Sequence, residues 1–191
     1  MITRENTRDR LLNCALRLFT LHSFAGTSLQ MIADNLGVTK AAIYHHFKTR
    51  DDILTAVLQP ALEELRDLIA YAESLRTPHA RADALLVGFV DMTVRHRELI
   101  GIVGTDPGVG HALSTHPDIA ELFGKPLTLL AAADPGPAGE VNASLALSGI
   151  ACTASSPMLT HLDDATLRDH LLAAGRRLLG LRAPRRTLTA A

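Results

Sequence analysis

A chain of 191 residues with 47% hydrophobic but only 4% aromatic side chains can bury a sizeable core built mostly of Leu, Ala, Ile and Val, a composition that favours helices. There is no apolar run of about 18 residues to span a bilayer, and the start MITRENTRDR has neither a signal-peptide stretch nor an Arg-rich transit pattern. No strand-type alternation persists anywhere, and a cytoplasmic all-α protein without a membrane span or leader is expected. The net charge of −1 conceals an asymmetry: residues 1–50 hold seven basic against three acidic side chains (+4), and residues 51–191 hold twelve against seventeen (−5). Only the first part has the sign that nucleic acid requires.

The first predicted helix covers about residues 3–21, with Leu11, Leu12, Ala15, Leu16, Leu18 and Phe19 as a wide apolar stripe. Thr27 followed by Gln30 reads as a capping box opening a second helix, in which Leu29, Ile32, Ala33 and Leu36 share a face. Gly37 suits the left-handed conformation that ends it, Val38 plugs the angle, and Thr39 caps a third helix. In that third helix Ala42, Ile43 and Phe47 are expected inward, leaving Lys40, Ala41, Tyr44 and His45 outward. Two short helices joined by a tight turn, small at the first turn and cationic and aromatic beyond it, have the shape of a major-groove reader.

A long helix follows over about 50–74, with Asp51 and Asp52 at its positive end and Pro60 predicting a bend near Gln59. After Thr77-Pro78 a central helix is expected over 79–95. Residues 96–126, broken by Gly101, Gly104, Pro107, Gly108, Gly110 and Pro117, read as short helices and loops. Further helices are expected over 118–133, 140–154 and 165–181, with a sharp loop at 134–139. In the last two, Ala143, Ala146, Gly149 and Ala151 lie among Leu145, Leu147 and Ile150, and Leu167, Leu171, Leu172, Gly175, Leu178 and Leu179 cover more than one face. That pattern suits a four-helix interface with a second copy, in which Leu145, Gly149, Leu171, Gly175 and Leu178 would lie. The tail 183–191 is expected to be frayed.

The stretch from Arg8 to Leu54 resembles the TetR-type transcriptional regulators through Leu18-Phe19, Gly26-Thr27, Ile32-Ala33, Gly37-Val38, Ile43-Tyr44, Phe47-Lys48 and Ile53-Leu54, all in one register. It departs at Ala41, where the family very often has Gly. The resemblance implies a helix-turn-helix DNA-binding head, here 1–50, and a helical effector-binding and dimerisation body, here 51–182. It also implies a homodimer on a double-stranded operator, acting as a repressor released by a small apolar molecule. By the same resemblance Lys40, Ala41, Tyr44 and Gln30 approach bases, while Ser28, His46, Lys48 and Arg50 meet phosphates. Tyr44 suits either role, and Thr39 and His45 complete the outward surface.

In the body Phe89, Met92, Thr93, Val103, Phe123, Leu127, Cys152 and Met158 come from different helices and suit an effector cavity or plain core equally, since both have the same composition. The resemblance supplies the expectation that an effector binds there. Cys14 and Cys152, each inside an apolar helical pattern, are expected as small buried hydrophobes. No catalytic residue, cofactor or metal is expected. His111 with His116, and His161, Asp163, Asp164 and His170, match no tight metal motif, and there is no G-x-S-x-G elbow. The second cluster nevertheless defines a rival, a metal-assisted hydrolase, and a filled body defines another, a DNA-binding protein without effector.

Overall fold

The computed structural model describes residues 6–182, so the frayed tail expected at 183–191 lies outside the described residues. Ten α-helices and no strand occur among them: α1 (Thr7–Gly26), α2 (Leu29–Leu36), α3 (Lys40–His46), α4 (Arg50–Ser74), α5 (Pro78–Arg95), α6 (Arg97–Thr105), α7 (Pro107–Ser114), α8 (Pro117–Ala131), α9 (Pro137–Ala154) and α10 (Asp164–Leu178). A 3-10 turn, Pro157–Leu159, precedes α10. The chain forms two compact units. One holds the described residues up to Glu64 together with His96–Glu121, and the other holds Leu65–Arg95 and the described residues from Leu122 onward. The first unit is larger than a 1–50 head, because α6 and α7 pack on α1.

In the first unit, α1 starts where Asn6 accepts a hydrogen bond from the Asp9 N–H (2.8 Å). It ends in two steps. Ser23, at φ 64° and ψ 163°, breaks the helix close to the expected end at Leu21, and one more turn runs to Gly26. Leu11, Ala15, Phe19, Ile32, Ala33, Ile43, Ile53 and Leu54 form the core, each large side chain contributing about 1.5–3 kcal/mol on burial. The cap of α2 is Ser28, whose Oγ accepts from the Met31 N–H (3.2 Å), and not Thr27. Thr27 is buried, and its hydroxyl donates to the carbonyls of Leu18 (3.1 Å) and Ser23 (2.8 Å), so it seals the end of α1. Gly37 takes φ 68° and ψ 31°, and Thr39 Oγ1 accepts from the Ala42 N–H (3.2 Å), as the turn chemistry predicts.

At the start of α4, Thr49 and Asp52 cap each other: Asp52 N–H donates to Thr49 Oγ1 (3.0 Å) while Asp52 Oδ2 accepts from the N–H groups of Thr49 (2.9 Å) and Lys48 (3.0 Å). The helix carries Pro60 in its interior and runs on to Ser74 as one element.

In the second unit, α10 packs on α5 and α9, and α5 also packs on α9. Leu85, Leu86, Val90, Ala143, Ala146, Ile150, Leu167 and Leu171 fill the space between them. The α5–α10 contact is flanked by two bidentate ion pairs. Arg176 holds Asp83 (2.8 and 3.2 Å), and Arg168 holds Asp91 through Nε and Nη2. Hydrogen bonding to Asp91 pushes the Arg168 guanidinium above its ordinary value. Gly175 lets α10 come close, since a Cβ there would lie 2.7 Å from Leu86 Cδ1 and 3.4 Å from Ile150 Cδ1. Its open side is therefore filled from within its own unit, and Leu171 is likewise buried.

Candidate nucleic-acid interface

The outward surface of α2 and α3 follows from what the inward surface must do. Ile43 and Phe47 point into the core, which turns Lys40, Ala41, Tyr44, His45 and His46 to solvent. Ala42, expected inward, is exposed, and with Val38, Leu11 and Ile43 it lines a narrow cleft of about 30 Å³. Lys40 Nζ sits 5.7 Å from the centroid of the Tyr44 ring, so two side chains expected to approach bases are held together by a cation–π contact. His45 and His46 meet edge to face, 5.2 Å between centroids.

The rest of the predicted surface is bound more tightly to the scaffold than its sequence suggests. Gln30 Nε2 donates to Asp34 Oδ1 (2.7 Å) one turn along α2. Ser28 and Thr39 remain exposed but each holds a cap. Lys48 is exposed at the end of α3, with its backbone N–H fixed by Asp52. Arg50 is turned inward: its Nη1 donates to the carbonyls of Phe24 (3.0 Å), Ala25 (2.9 Å) and Thr27 (2.7 Å), and its guanidinium lies over the Phe24 ring at 5.0 Å. Below this surface, Asn35 Oδ1 accepts from Arg17 and from the Cys14 thiol (3.3 Å), tying α1 to α2. Burial pushes the Cys14 thiol up from its ordinary value.

Proposed effector-wall residues are scattered. Val103 is half-buried in the first unit, and the other seven belong to the second. There Met92 and Thr93 are core, with the Thr93 hydroxyl donating to the Phe89 carbonyl (2.6 Å), whereas Phe123, Leu127, Cys152 and Met158 are exposed. The helical phase explains the difference: α8 buries Leu122, Pro126 and Leu130, one position away from Phe123 and Leu127. Cys152 is thus not the buried thiol expected. On α9 the small residues Ala143 and Ala146 face inward, while Val141 and Leu145 stand out, 57% and 55% exposed, beside an open Gly149. Leu178 is half-buried. Among the described residues no group of three or more His, Cys, Asp or Glu is arranged to hold a metal. Asp163 instead caps α10, accepting from the Thr166 N–H and hydroxyl (both 2.8 Å), and these bonds hold its carboxyl below the ordinary value.

The similarity to known proteins is concentrated in the head. Residues 11–57 match the model of the bacterial regulatory proteins of the tetR family. The head of the chain is similar to that of the tetR-family regulators. AcrR of Shigella flexneri, an HTH-type transcriptional regulator, is 38% identical over 64 residues, which are 34% of this chain and 30% of AcrR. The chain thus matches less than a third of that relative's length. The fold extends further: AmtR of Mycobacterium smegmatis superposes with a TM-score of 0.67 at 25% identity, over 95% of this chain and 98% of that one. A structure of AibR in complex with isovaleryl coenzyme A and operator DNA gives 0.66 at 20% identity, over 88% and 97%. The all-helical fold with a helix-turn-helix head is that of these neighbours.

Proposed function

We propose that this protein is a cytoplasmic, sequence-specific DNA-binding regulator that works as a homodimer on a near-palindromic operator and is released from it by a small apolar effector, most simply as a repressor. The observation that carries it is the outward face of α3, where Lys40 and Tyr44 are held together while both helices of the reader are capped and anchored. This is a surface prepared for base edges, flanked by Lys48 and the N-terminal end of α2 for phosphates. Binding, not catalysis, is the activity assigned.

For the dimer, the support is the exposed apolar stripe Val141, Leu145 and Gly149 on α9. Two heads would then span successive major grooves, about 34–36 Å apart. An effector acts only if it binds the two spacings with different affinity. The structure of AibR with isovaleryl coenzyme A and operator DNA supports an effector in the body. One observation favours a constitutive binder instead: Thr93, expected on the effector wall, is fully buried with its hydroxyl donated to the Phe89 carbonyl.

Selection of bound duplexes from a random pool tests the proposal. A two-fold symmetric consensus bound by two subunits is expected, and recovery of unrelated sequences would refute it. Leu145→Asp should lower both dimerisation and operator affinity in sedimentation and binding titrations. An unchanged dimer would move the interface away from α9. A screen for small apolar compounds that release the operator decides between the effector-responsive and constitutive forms.

A further inference from the structure

We infer that Arg50 and Asp106 are positioning residues for DNA reading, joined through Phe24, and that Arg50 is not a phosphate contact. This rests on the DNA-binding activity proposed above. The break of α1 at Ser23 takes the Phe24 N–H out of the helical hydrogen-bond ladder, and such a donor needs another partner. Asp106, 82 residues further along the chain, provides it: Oδ2 accepts the Phe24 N–H, while Oδ1 accepts the Gly108 N–H (2.8 Å) as the cap of α7. A single carboxylate thus closes the end of α1 and the start of α7. Gly108 makes the approach possible, since a Cβ there would lie 3.1 Å from Asp106 Oδ1 and 3.4 Å from Phe24 Cδ1.

The opposite side of the same residue belongs to Arg50. Its Nη1 takes the carbonyls of Phe24, Ala25 and Thr27, and its guanidinium covers the buried Phe24 ring. Thr27 is the last residue before Ser28, the cap of α2. Amide and carbonyl of Phe24 are therefore both held by charged groups, and the peptide that leads into α2 is fixed from both directions. The end of α2 that faces a phosphate inherits its direction from this joint. A phosphate drawing Arg50 away would take a charged donor from three carbonyls, leaving that of Phe24 with only the Thr27 N–H (3.3 Å). Lys is no substitute, because a point charge cannot present a planar group to the ring and the carbonyls together.

The test measures binding of wild-type protein and of Arg50→Ala, Arg50→Lys, Asp106→Ala and Lys48→Ala to the selected duplex over a range of salt concentrations. Arg50→Ala and Arg50→Lys should both weaken binding on the order of tenfold, the scale of lost charged hydrogen bonds, with the wild-type salt slope. Asp106→Ala should weaken it similarly, although removal of a negative charge by itself favours DNA. Lys48→Ala is the reference for a true phosphate contact and should reduce the slope by about 0.9. The inference is overturned if Arg50→Ala reduces the slope by that amount and Arg50→Lys restores it, or if Asp106→Ala binds as well as wild type. Should an alanine variant not fold, Arg50→Lys and Asp106→Asn carry the same expectations. If the wild-type protein binds no duplex, the DNA-binding proposal fails on its own. The joint is then judged by hydrogen exchange at the Phe24 amide, which Arg50→Lys and Asp106→Asn should each accelerate about tenfold if it exists and leave unchanged if it does not.

Discussion

Adding one methyl group at Gly175 sets two effects of known size against each other. In a helix interior, Gly→Ala gains roughly 0.8–1 kcal/mol of intrinsic propensity. At this position the new Cβ would sit 2.7 Å from Leu86 Cδ1 and 3.3 Å from Cδ2, closer than side chains approach, with Ile150 Cδ1 at 3.4 Å behind them. Leu86 is fully buried and has little room to swing aside, so overpacking of about 1–3 kcal/mol is expected. The net effect of Gly175→Ala is a loss of up to about 2 kcal/mol, or a fall in melting temperature of several degrees at about 2–4 °C per kcal/mol for a chain of this size. Leu86→Val, which withdraws the clashing atoms, should cost stability alone yet relieve the alanine. The double mutant should then be more stable than the sum of the two losses by about 1 kcal/mol or more. Urea titrations of the four proteins measure this coupling directly. Additive losses, or an alanine variant that melts higher than wild type, would refute the close α5–α10 contact. An alanine variant of unchanged stability that dissociates into monomers would return Gly175 to a subunit interface.

The two ion pairs of α5 and α10 should differ in weight. Asp83→Ala leaves the largely covered Arg176 guanidinium (17% exposed) without its partner and should destabilise by about 1–3 kcal/mol in denaturant melts, whereas Asp91→Ala, opposite the more exposed Arg168 (38%), should cost only about 0.2–1 kcal/mol. With a thiol reagent under native conditions, the exposed Cys152 should react at once and the buried, raised Cys14 only on unfolding; Cys152→Ser should eliminate the fast phase, and its persistence would show that Cys14 is accessible. Since the folded-state pKa of Asp163 is depressed, the stability it adds is complete above its ordinary carboxylate value near pH 4 and disappears as pH falls through the lower folded value. An NMR titration should show the Asp163 carboxyl titrating below an ordinary aspartate, and Asp163→Asn should reduce the acid lability of the first turn of α10.

The reader was legible in the sequence because its turn chemistry is local. Gly37 and Thr39 act as read, and the alternation of Ile43 and Phe47 with Lys40 and Tyr44 separates core from surface within one short helix. The cap of α2 was misplaced by one residue because Thr27 and Ser28 both suit that position, and only the fold of α1 shows that the Thr27 hydroxyl is already engaged. Arg50 reads from its neighbours as one more cation of the outward surface, and its bond to the Phe24 carbonyl, 26 positions away, has no local signal. The body was harder for a different reason. In α8 the apolar residues Leu122, Phe123, Pro126, Leu127, Leu129 and Leu130 spread around more than one face, so the pattern does not determine which face is buried, and packing selected Leu122, Pro126 and Leu130. Gly175 could be recognised as a site of close approach, but a neighbouring helix and a second subunit leave the same mark in sequence. The pairing of Asp83 with Arg176 and Asp91 with Arg168 carries no local signal at all.

Those pairs have a geometric consequence for motion. On each helix the two partners stand about two turns apart, some 12 Å along the axis, and they match in antiparallel order, the earlier aspartate with the later arginine. A slip of α10 by one turn, about 5.4 Å, would place every one of the four charges opposite something else. A slip of two turns could remake only one pair. Only one register satisfies both, so the two helices behave like a key with two teeth in its lock. Rearrangements of this unit that keep the teeth engaged must move α5 and α10 as a single rod, by tilting it, and never by sliding one helix along the other.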